Sequence, residues 1–260
     1  MAGAERRARA GCGAGSGAGR LTQAGALGTL AASLAARCSL APRLILAADP
    51  ALFALSDGLE VQARAGPDEV GADAELVLGL FEGVLLALVR AWGAEPPVVP
   101  IRIARLLGAE VLLLARRARA LDPACAGLGL VEDHLGLLVP NPLVGPNVDE
   151  LGPRFPDMSE PYDPALRGLA RECAEAMGEP VVGGVYAAHP DPNQATAAEY
   201  SMLVRLGAQW IGKGGVPEVI VARHMGMRVL SLIGTGGSEE RLVALVRSAI
   251  GELGRTLKLA

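Results

Sequence analysis

The chain has 260 residues, of which 51% are hydrophobic and 3% aromatic, and 24 Lys and Arg against 28 Asp and Glu give a formal net charge of −4. This composition excludes a disordered, charge-rich chain and predicts a domain whose core is built from aliphatic side chains. A mildly acidic chain has no overall attraction for nucleic acid or an anionic membrane surface. No uncharged apolar run reaches the roughly 18 residues of a membrane span, so we expect neither nucleic acid nor a membrane as a partner.

The N-terminal residues differ in composition from the rest of the chain. Gly, Ala and Arg dominate residues 1–20 without hydrophobic periodicity, which predicts a flexible tail followed by one domain over 21–260. The Arg-rich, acid-poor tail is also compatible with an organellar presequence; otherwise we expect a cytoplasmic protein. The four cysteines and three histidines are scattered along the chain, so we expect reduced thiols, no metal site and no other cofactor.

Hydrophobic periodicity and stop residues predict the secondary structure in chain order. The first half contains a helix over 21–38, a strand over 43–49, a hairpin over 75–90 that turns near Glu82 and Gly83, a helix over 100–109, and strands over 110–115 and 128–138. After a polar loop over 140–161, helices over 164–177, 197–206, 217–224 and 239–257 alternate with strands over 183–188, 208–212 and 227–234. This alternation predicts an α/β fold with a mixed or largely parallel central sheet covered by helices on both faces.

Several motifs occur in an order and spacing that are informative together. RLGAQWIGKGGVPEVIVARHMGMRVLS spans 205–231, Asp133 and His134 are followed by NPLVGPN and RFPDMSEPYD, and GGVYAA and TAAEY lie between these stretches. Together they resemble the trimeric, low-molecular-mass purine nucleoside phosphorylase family. The resemblance implies a single-domain nucleoside phosphorylase fold, homotrimers, and phosphate-dependent cleavage of purine nucleosides to a base and a pentose 1-phosphate.

The resemblance also implies where phosphate should be bound, and the family's residues are missing there. Ala48 stands in place of the serine of a Gly-Ser-Gly phosphate loop, and Ala72 in place of a phosphate-contacting histidine. The family's next phosphate segment carries an Arg, a His and a Tyr, where the least-gapped alignment places Trp92, Ala94 and Pro96. Arg90 is the nearest substitute for the arginine.

A Thr-Asn-Ala-Ala-Gly turn in the family, which approaches phosphate and base closely, is replaced by ARRAR at 115–119. Three arginines do not fit a turn built for close backbone approach. Two interpretations remain open for this segment: an exposed basic loop, or a new anion site that includes Arg116.

The positions that the resemblance assigns to base and sugar have changed as well. Ala195 replaces the purine-binding glutamate, and Lys213 replaces a methionine that lies against sugar and base. Leu151 replaces a phenylalanine that reaches into a neighbouring subunit's site. Gly234 and Thr235 replace a Thr-Asn pair, and Ser238 replaces a sugar-contacting histidine.

A few polar residues remain as candidates. Lys213, His189 and Arg116 are candidate ligand contacts near the former pocket. His134 and His224 are expected to be packed structural histidines. Glu218, in the first turn of a helix, is expected to interact with the helix dipole.

Two functions therefore compete. The first is a non-catalytic homologue that acts as a structural or regulatory subunit, in a homotrimer or with an active paralogue, or as a binding module for a purine nucleoside or phosphate. It is favoured because losing even one electrostatic donor costs about 10²–10³ in rate. The alternative is an active purine nucleoside phosphorylase with a rearranged site served by Lys213, His189 and the arginine segment.

Overall fold

The computed structural model describes residues 24–38, 41–71, 73–93 and 95–256. Its strands are β1 (Leu44–Ala48), β2 (Glu60–Ala65), β3 (Ala74–Phe81), β4 (Val84–Ala91), β5 (Val111–Ala120), β6 (Leu128–Leu135), β7 (Val181–Ala188), β8 (Ala208–Gly212) and β9 (Arg228–Thr235). Its α-helices are α1 (Ala24–Arg37), α2 (Pro67–Val70), α3 (Val98–Leu106), α4 (Pro164–Ala176), α5 (Ala197–Arg205), α6 (Val216–His224) and α7 (Glu239–Thr256). Short 3₁₀ helices span Pro50–Ser56 and Pro123–Cys125.

The strands form one mixed sheet in the order β2-β3-β4-β1-β5-β8-β7-β6-β9, with a further pairing between β5 and β9. This extra pairing makes β5 a neighbour of three strands and joins β5, β8, β7, β6 and β9 into a closed ring. On one edge, β5 pairs with β9 along 111–118. On its other edge, β5 pairs first with β1 and later with β8. The sheet therefore opens along the middle of β5.

The core lies on both faces of the sheet because successive strand residues point to opposite sides. Ile45 and Leu112 pack in one buried cluster with α1, α3 and α6. Leu46 and Leu113 pack in a second cluster with α4 and α7. This two-sided burial explains why these strands read as continuous apolar runs in the sequence.

The predicted α/β fold with a mixed central sheet is confirmed, and the local differences include β2 and the end of β5. The strand β2 was not predicted, because EVQARA lies at the sheet edge with most of its side chains exposed and lacks an apolar run. The strand β5 extends to Ala120, beyond the predicted end at 115. The predicted tail over 1–20 lies outside the described residues. Within those residues no helix is both long and apolar enough to cross a membrane.

The loop over 136–163 is anchored to the body of the protein at several points. At its end, Asp163 caps α4 by accepting the N–H of Leu166, and it pairs with Arg228 of β9 through two hydrogen bonds of 2.6 and 2.9 Å. In its middle, Asn147 lies 3.2 Å from the Nε2 atom of His224. These contacts hold the loop against β9 and α6.

A substitution at Gly129 tests how tightly the ring of strands is packed around Trp210. A Cβ atom at Gly129 would lie 2.5 Å from the Cζ2 atom of Trp210, a fully buried side chain whose indole N–H donates to the Cys125 carbonyl at 2.8 Å. We expect Gly129→Ala to lower the free energy of unfolding by about 1–3 kcal/mol, because the indole cannot retreat without strain. Urea unfolding measures the change.

The matched control is Gly168→Ala in α4, where an added Cβ would have no neighbour within 4 Å. It should leave stability unchanged or raise it by up to about 1 kcal/mol through helix propensity. Equal stabilities for the two variants would contradict the packing described for Trp210.

Candidate functional site

The opening of the sheet along β5 is the place where two strand ends meet. The pairing of β1 with β5 stops at Ala48 and Ala115, and the antiparallel pairing of β8 with β5 involves Arg119 and Ala120. The carboxyl ends of β1 and β8 therefore approach the same part of β5 from opposite directions. Ligands of α/β proteins commonly bind where strand connections diverge in this way. We call this place the strand-end site; it contains Asp49, Arg116, Tyr186, Gly214 and Glu218.

A buried ion pair occupies the strand-end site. The Nη2 atom of Arg116 donates to Oε1 of Glu218 at 2.6 Å, and the two side chains are 10% and 1% exposed. Burial acts against the charge of Arg116, but the carboxylates of Glu218 and Asp49 outweigh it, so the pKa of Arg116 is raised. A Cβ atom at Gly214 would lie only 3.6 Å from Nη1 of Arg116. The guanidinium thus lies beside the Gly214 backbone, between β5 and the turn before α6.

A second charged group takes the backbone donor at this opening. The Asp49 N–H donates to the Ala115 carbonyl at 3.0 Å. Its Oδ2 atom accepts the N–H of Arg117 at 2.6 Å. The backbone pairing of β1 with β5 has ended at this point. The carboxylate of Asp49 therefore accepts the hydrogen bond that a backbone carbonyl of a longer β1 would have accepted. The N–H of Arg117 therefore already donates to a carboxylate of the same chain.

The turn before α6 completes the strand-end site. Gly214 and Gly215 have φ values of 70° and 88°, in the left-handed region that favours glycine. The Tyr186 hydroxyl donates to the Gly214 carbonyl at 3.1 Å. Burial raises the pKa of Tyr186, which keeps the hydroxyl neutral. This contact fixes the position of the turn relative to β7.

Of the two interpretations of 115–119, an exposed basic loop does not describe the segment, because these residues are part of a strand. The segment continues β5, and its alternating side chains point to opposite faces: Arg116 is buried, whereas Arg117 and Arg119 are exposed. Arg119 donates to the Tyr200 hydroxyl at 2.7 Å. The partner that allows an arginine to be buried here is Glu218, which the sequence indicated only as a residue of a helix start.

The positions expected to contact phosphate supply few polar groups. Ala48 is buried at the end of β1, and Trp92, just after β4, is 52% exposed. Arg90 pairs with Glu75 on the neighbouring strand at 2.8 Å. Ala72 and Ala94 lie outside the described residues.

The remaining candidate contacts lie around α5 and β8. Lys213 is exposed just after β8. Ala195 is half-buried just before Thr196, the N-cap residue of α5. His189 is buried; its Nδ1 atom accepts the N–H of Asp191 at 3.1 Å, and its Nε2 atom lies 3.8 Å from Glu199.

The positions expected to contact base and sugar on β9 serve the junction with β6. The Oγ1 atom of Thr235 accepts the Gly127 N–H at 2.6 Å. The Ser238 hydroxyl donates to the Gly127 carbonyl at 3.3 Å. A Cβ atom at Gly234 would lie 3.0 Å from Leu242 and 3.1 Å from Ser238. These groups are therefore engaged in internal contacts.

Two histidines, His134 and His224, form side-chain contacts within the fold. The Nδ1 atom of His134 lies 3.1 Å from the Tyr162 hydroxyl. Burial lowers the pKa values of His134 and His224, which favours the neutral rings. Among the described residues, no three side chains of the metal-binding types are grouped to hold a metal ion.

Comparisons with known proteins agree with this geometry. Residues 98–249 match the family model described as Phosphorylase superfamily. Purine nucleoside phosphorylase 1 of Bacillus subtilis (strain 168) is 37% identical over 171 residues, which cover 62% of this chain and 63% of that protein. Purine nucleoside phosphorylase of Bos taurus is 42% identical over 137 residues, covering 50% of this chain and 47% of that protein. Each match thus spans less than two thirds of the relative's length.

Similarity extends further in three dimensions. The crystal structure of purine nucleoside phosphorylase from Schistosoma mansoni in complex with acetate has a TM-score of 0.79 and 26% sequence identity to this chain. The superposition covers 89% of this chain and 97% of that one. The fold is therefore shared across nearly the whole of that structure.

The ion pair at the strand-end site gives a stability prediction. Arg116→Met leaves the carboxylate of Glu218 buried without a counter-charge, so we expect the free energy of unfolding to fall by about 3–5 kcal/mol. The double variant Arg116→Met with Glu218→Leu should recover most of this loss, since it removes both charges. Guanidinium chloride unfolding of the three proteins measures these changes.

A surface pair provides the control. Arg43 and Glu110 lie 2.6 Å apart but are 41% and 54% exposed, so Arg43→Met should cost less than about 1 kcal/mol. If Arg116→Met costs no more than Arg43→Met, the strand-end ion pair is not a buried one.

Proposed function

Because the chain belongs to the phosphorylase superfamily, we propose that it is a homologue of the purine nucleoside phosphorylases that does not catalyse phosphorolysis. It acts instead as a structural or regulatory subunit, or as a binding module for a purine nucleoside or phosphate. Its relatives are named purine nucleoside phosphorylase. We propose that the chain shares their fold but does not catalyse their reaction.

The state of the phosphate-binding region supports this proposal. A phosphate dianion needs N–H and O–H donors at the end of β1. Ala48 offers no hydroxyl, and the Arg117 N–H already donates to the Asp49 carboxylate at 2.6 Å. A dianion that approached this N–H would be repelled by the charge of Asp49. Binding would require Asp49 to move away and leave its own partner.

The base and sugar positions support it further. Ala195 cannot accept the hydrogen bonds that a carboxylate takes from a purine, each of which contributes about 1.5–3 kcal/mol when charged. Thr235 and Ser238 hydrogen-bond to Gly127. A nucleoside would therefore find few free partners at these positions.

The single observation that carries the proposal is the burial of Arg116 against Glu218 between β5 and the turn before α6. Catalysis of phosphorolysis requires preorganised groups aimed at a phosphate and at the charge that develops on the base. Here, the buried charges where the strand ends meet are paired with each other and are not directed at a phosphate or a base.

We further propose that the protein works in an assembly, as a homotrimer or as a hetero-oligomer with an active paralogue, in the cytoplasm. The support is the retained RFPDMSEPYD segment, which the resemblance places at an interface and which ends at the anchored Asp163. In a hetero-oligomer, the chain would contribute this surface while its partner contributes the active site.

The decisive test is phosphate-dependent cleavage of inosine and guanosine by the purified full chain, followed by release of the base. An ordinary enzyme turns over at about 10 s⁻¹, and the loss of two donors at 10²–10³ each lowers this to on the order of 10⁻³ s⁻¹ or below. We expect turnover no faster than that limit.

The Bacillus subtilis relative serves as the positive control, and cooperative thermal unfolding shows that the tested chain is folded. A thermal-shift screen with purines and phosphate on the same sample separates a binding module, which is stabilised, from a purely structural subunit, which is not. Turnover near that of the control would overturn the proposal and favour an active phosphorylase with a rearranged site around Lys213 and His189.

A further inference from the structure

Strand β5 carries two exposed arginines on one face where it passes the opening of the sheet. Arg117 and Arg119 lie two residues apart in the strand, so their side chains leave it on the same side. The side chain of Arg116 leaves on the opposite side, where it pairs with Glu218. Two strand residues span only about 7 Å. The long side chains of Arg117 and Arg119 can therefore reach the same ligand.

Lys213 adds a third cation, just after β8. The antiparallel pairing of β8 with β5 places Ile211 opposite Arg119. Continuing this register by two residues brings Lys213 opposite Arg117, and a Cβ atom at Gly212 would lie 3.1 Å from the Arg117 carbonyl oxygen. Directly opposite residues of an antiparallel pair share a face of the sheet, and Lys213 is exposed. We call Arg117, Arg119 and Lys213 the cation cluster.

The carboxylates around the opening are engaged with other groups. Among the described residues of this region, Glu218 pairs with Arg116. Glu199 lies 3.8 Å from His189, and Asp49 accepts a backbone N–H of β5. The side chains of the cation cluster thus lie close to one another, and like charges on opposite strand residues repel and destabilise the pairing. An anion bound among them would remove this repulsion.

Arg119 is already held in position at one side of the cluster. Its Nη1 atom donates to the Tyr200 hydroxyl at 2.7 Å, and its Nη2 atom donates to Asn193 at 3.5 Å. The Tyr200 hydroxyl in turn donates to the Pro192 carbonyl at 2.9 Å. A guanidinium has further N–H donors beyond these two, in a planar fork that matches the oxygens of a phosphate group. The contacts with Tyr200 and Asn193 therefore orient Arg119 without using all of its donors.

We propose that the cation cluster binds a ligand that carries two linked phosphate groups. A single phosphate concentrates its charge at one point, whereas a diphosphate spreads its charge over a length comparable to the spacing of Arg117 and Arg119. Its oxygens accept from the side chains of the cluster and stay away from the Arg117 N–H, which donates to Asp49. The inference rests on the function proposed above, because it names the ligand class of a binding module that does not catalyse phosphorolysis.

The test titrates the full chain with inorganic pyrophosphate and guanosine diphosphate, and with orthophosphate and guanosine for comparison. Calorimetry in a buffer with EDTA measures Kd in the absence of metal–diphosphate complexes. We expect both diphosphates to bind at least about tenfold more tightly than orthophosphate and guanosine. Raising NaCl from about 50 to about 300 mM should weaken their binding, because exposed charges are screened. Equal affinities would show that free diphosphate suffices, and tighter binding of guanosine diphosphate would show that a nucleotide is the ligand.

Two substitutions test the cations themselves. Arg117→Gln and Lys213→Gln should each weaken binding of pyrophosphate, and the double variant should weaken it by at least about tenfold. Arg64→Gln, which replaces an exposed arginine of β2 at the edge of the sheet, is the control and should bind like the original chain. Lys213→Gln should not lower the thermal midpoint of the ligand-free chain, since it relieves repulsion. A purely structural lysine would give the opposite result.

The comparison of ligands and of salt concentrations needs no variant, so it decides the matter even if the double variant does not fold. The proposal is wrong if neither diphosphate binds at millimolar concentration or if both bind no more tightly than orthophosphate. Full binding of pyrophosphate by a folded double variant would also overturn it. The two proposals fail separately: phosphorolytic turnover would overturn the proposed function, whereas the titrations measure diphosphate binding whether or not the chain turns over.

Discussion

A guanidinium that loses its water needs a carboxylate beside it, and at the centre of this sheet Arg116 has Glu218 at 2.6 Å. The cost of burying either charge alone is several kcal/mol, so the two residues must be placed together. This requirement fixes the start of α6 relative to β5. It also fixes the Gly214–Gly215 turn, which passes close to the guanidinium and accepts a hydrogen bond from Tyr186. The pairing thus links the strand end of β5 to the start of α6.

The same pairing changes the electrostatics of a scaffold shared with purine nucleoside phosphorylases. A site that receives phosphate must present unsatisfied donors and tolerate two negative charges. Here the Arg117 N–H donates to Asp49 and one guanidinium N–H of Arg116 donates to Glu218, while the buried Nε atom of Arg116 and Oε2 atom of Glu218 have no hydrogen-bond partner among the described residues. The function proposed above, a folded chain without phosphorolysis, follows from these internal pairings.

The sequence predicted the architecture well because burial on both faces of the sheet leaves a clear apolar pattern. Strands such as β1 and helices such as α4 were found within a few residues of their observed ends. The C-terminal end of β5 was not predicted, because a buried arginine in a strand can be inferred only when its carboxylate partner is known. That partner, Glu218, lies 102 residues away in the sequence. Likewise, the contacts of Thr235 and Ser238 with Gly127 depend on the junction of β6 with β9, which no local pattern reveals.

The ring of strands has a consequence for how the protein folds during its synthesis. It closes only when β9, at 228–235, pairs with β5, at 111–120. The ribosome must therefore synthesise the chain as far as β9 before the ring can form. Until then, the long edge of β5 that faces β9 remains without its partner, and pairings between such distant segments form slowly. Nascent chains of this protein should consequently depend on chaperones that shield the edge of β5 until β9 has been made.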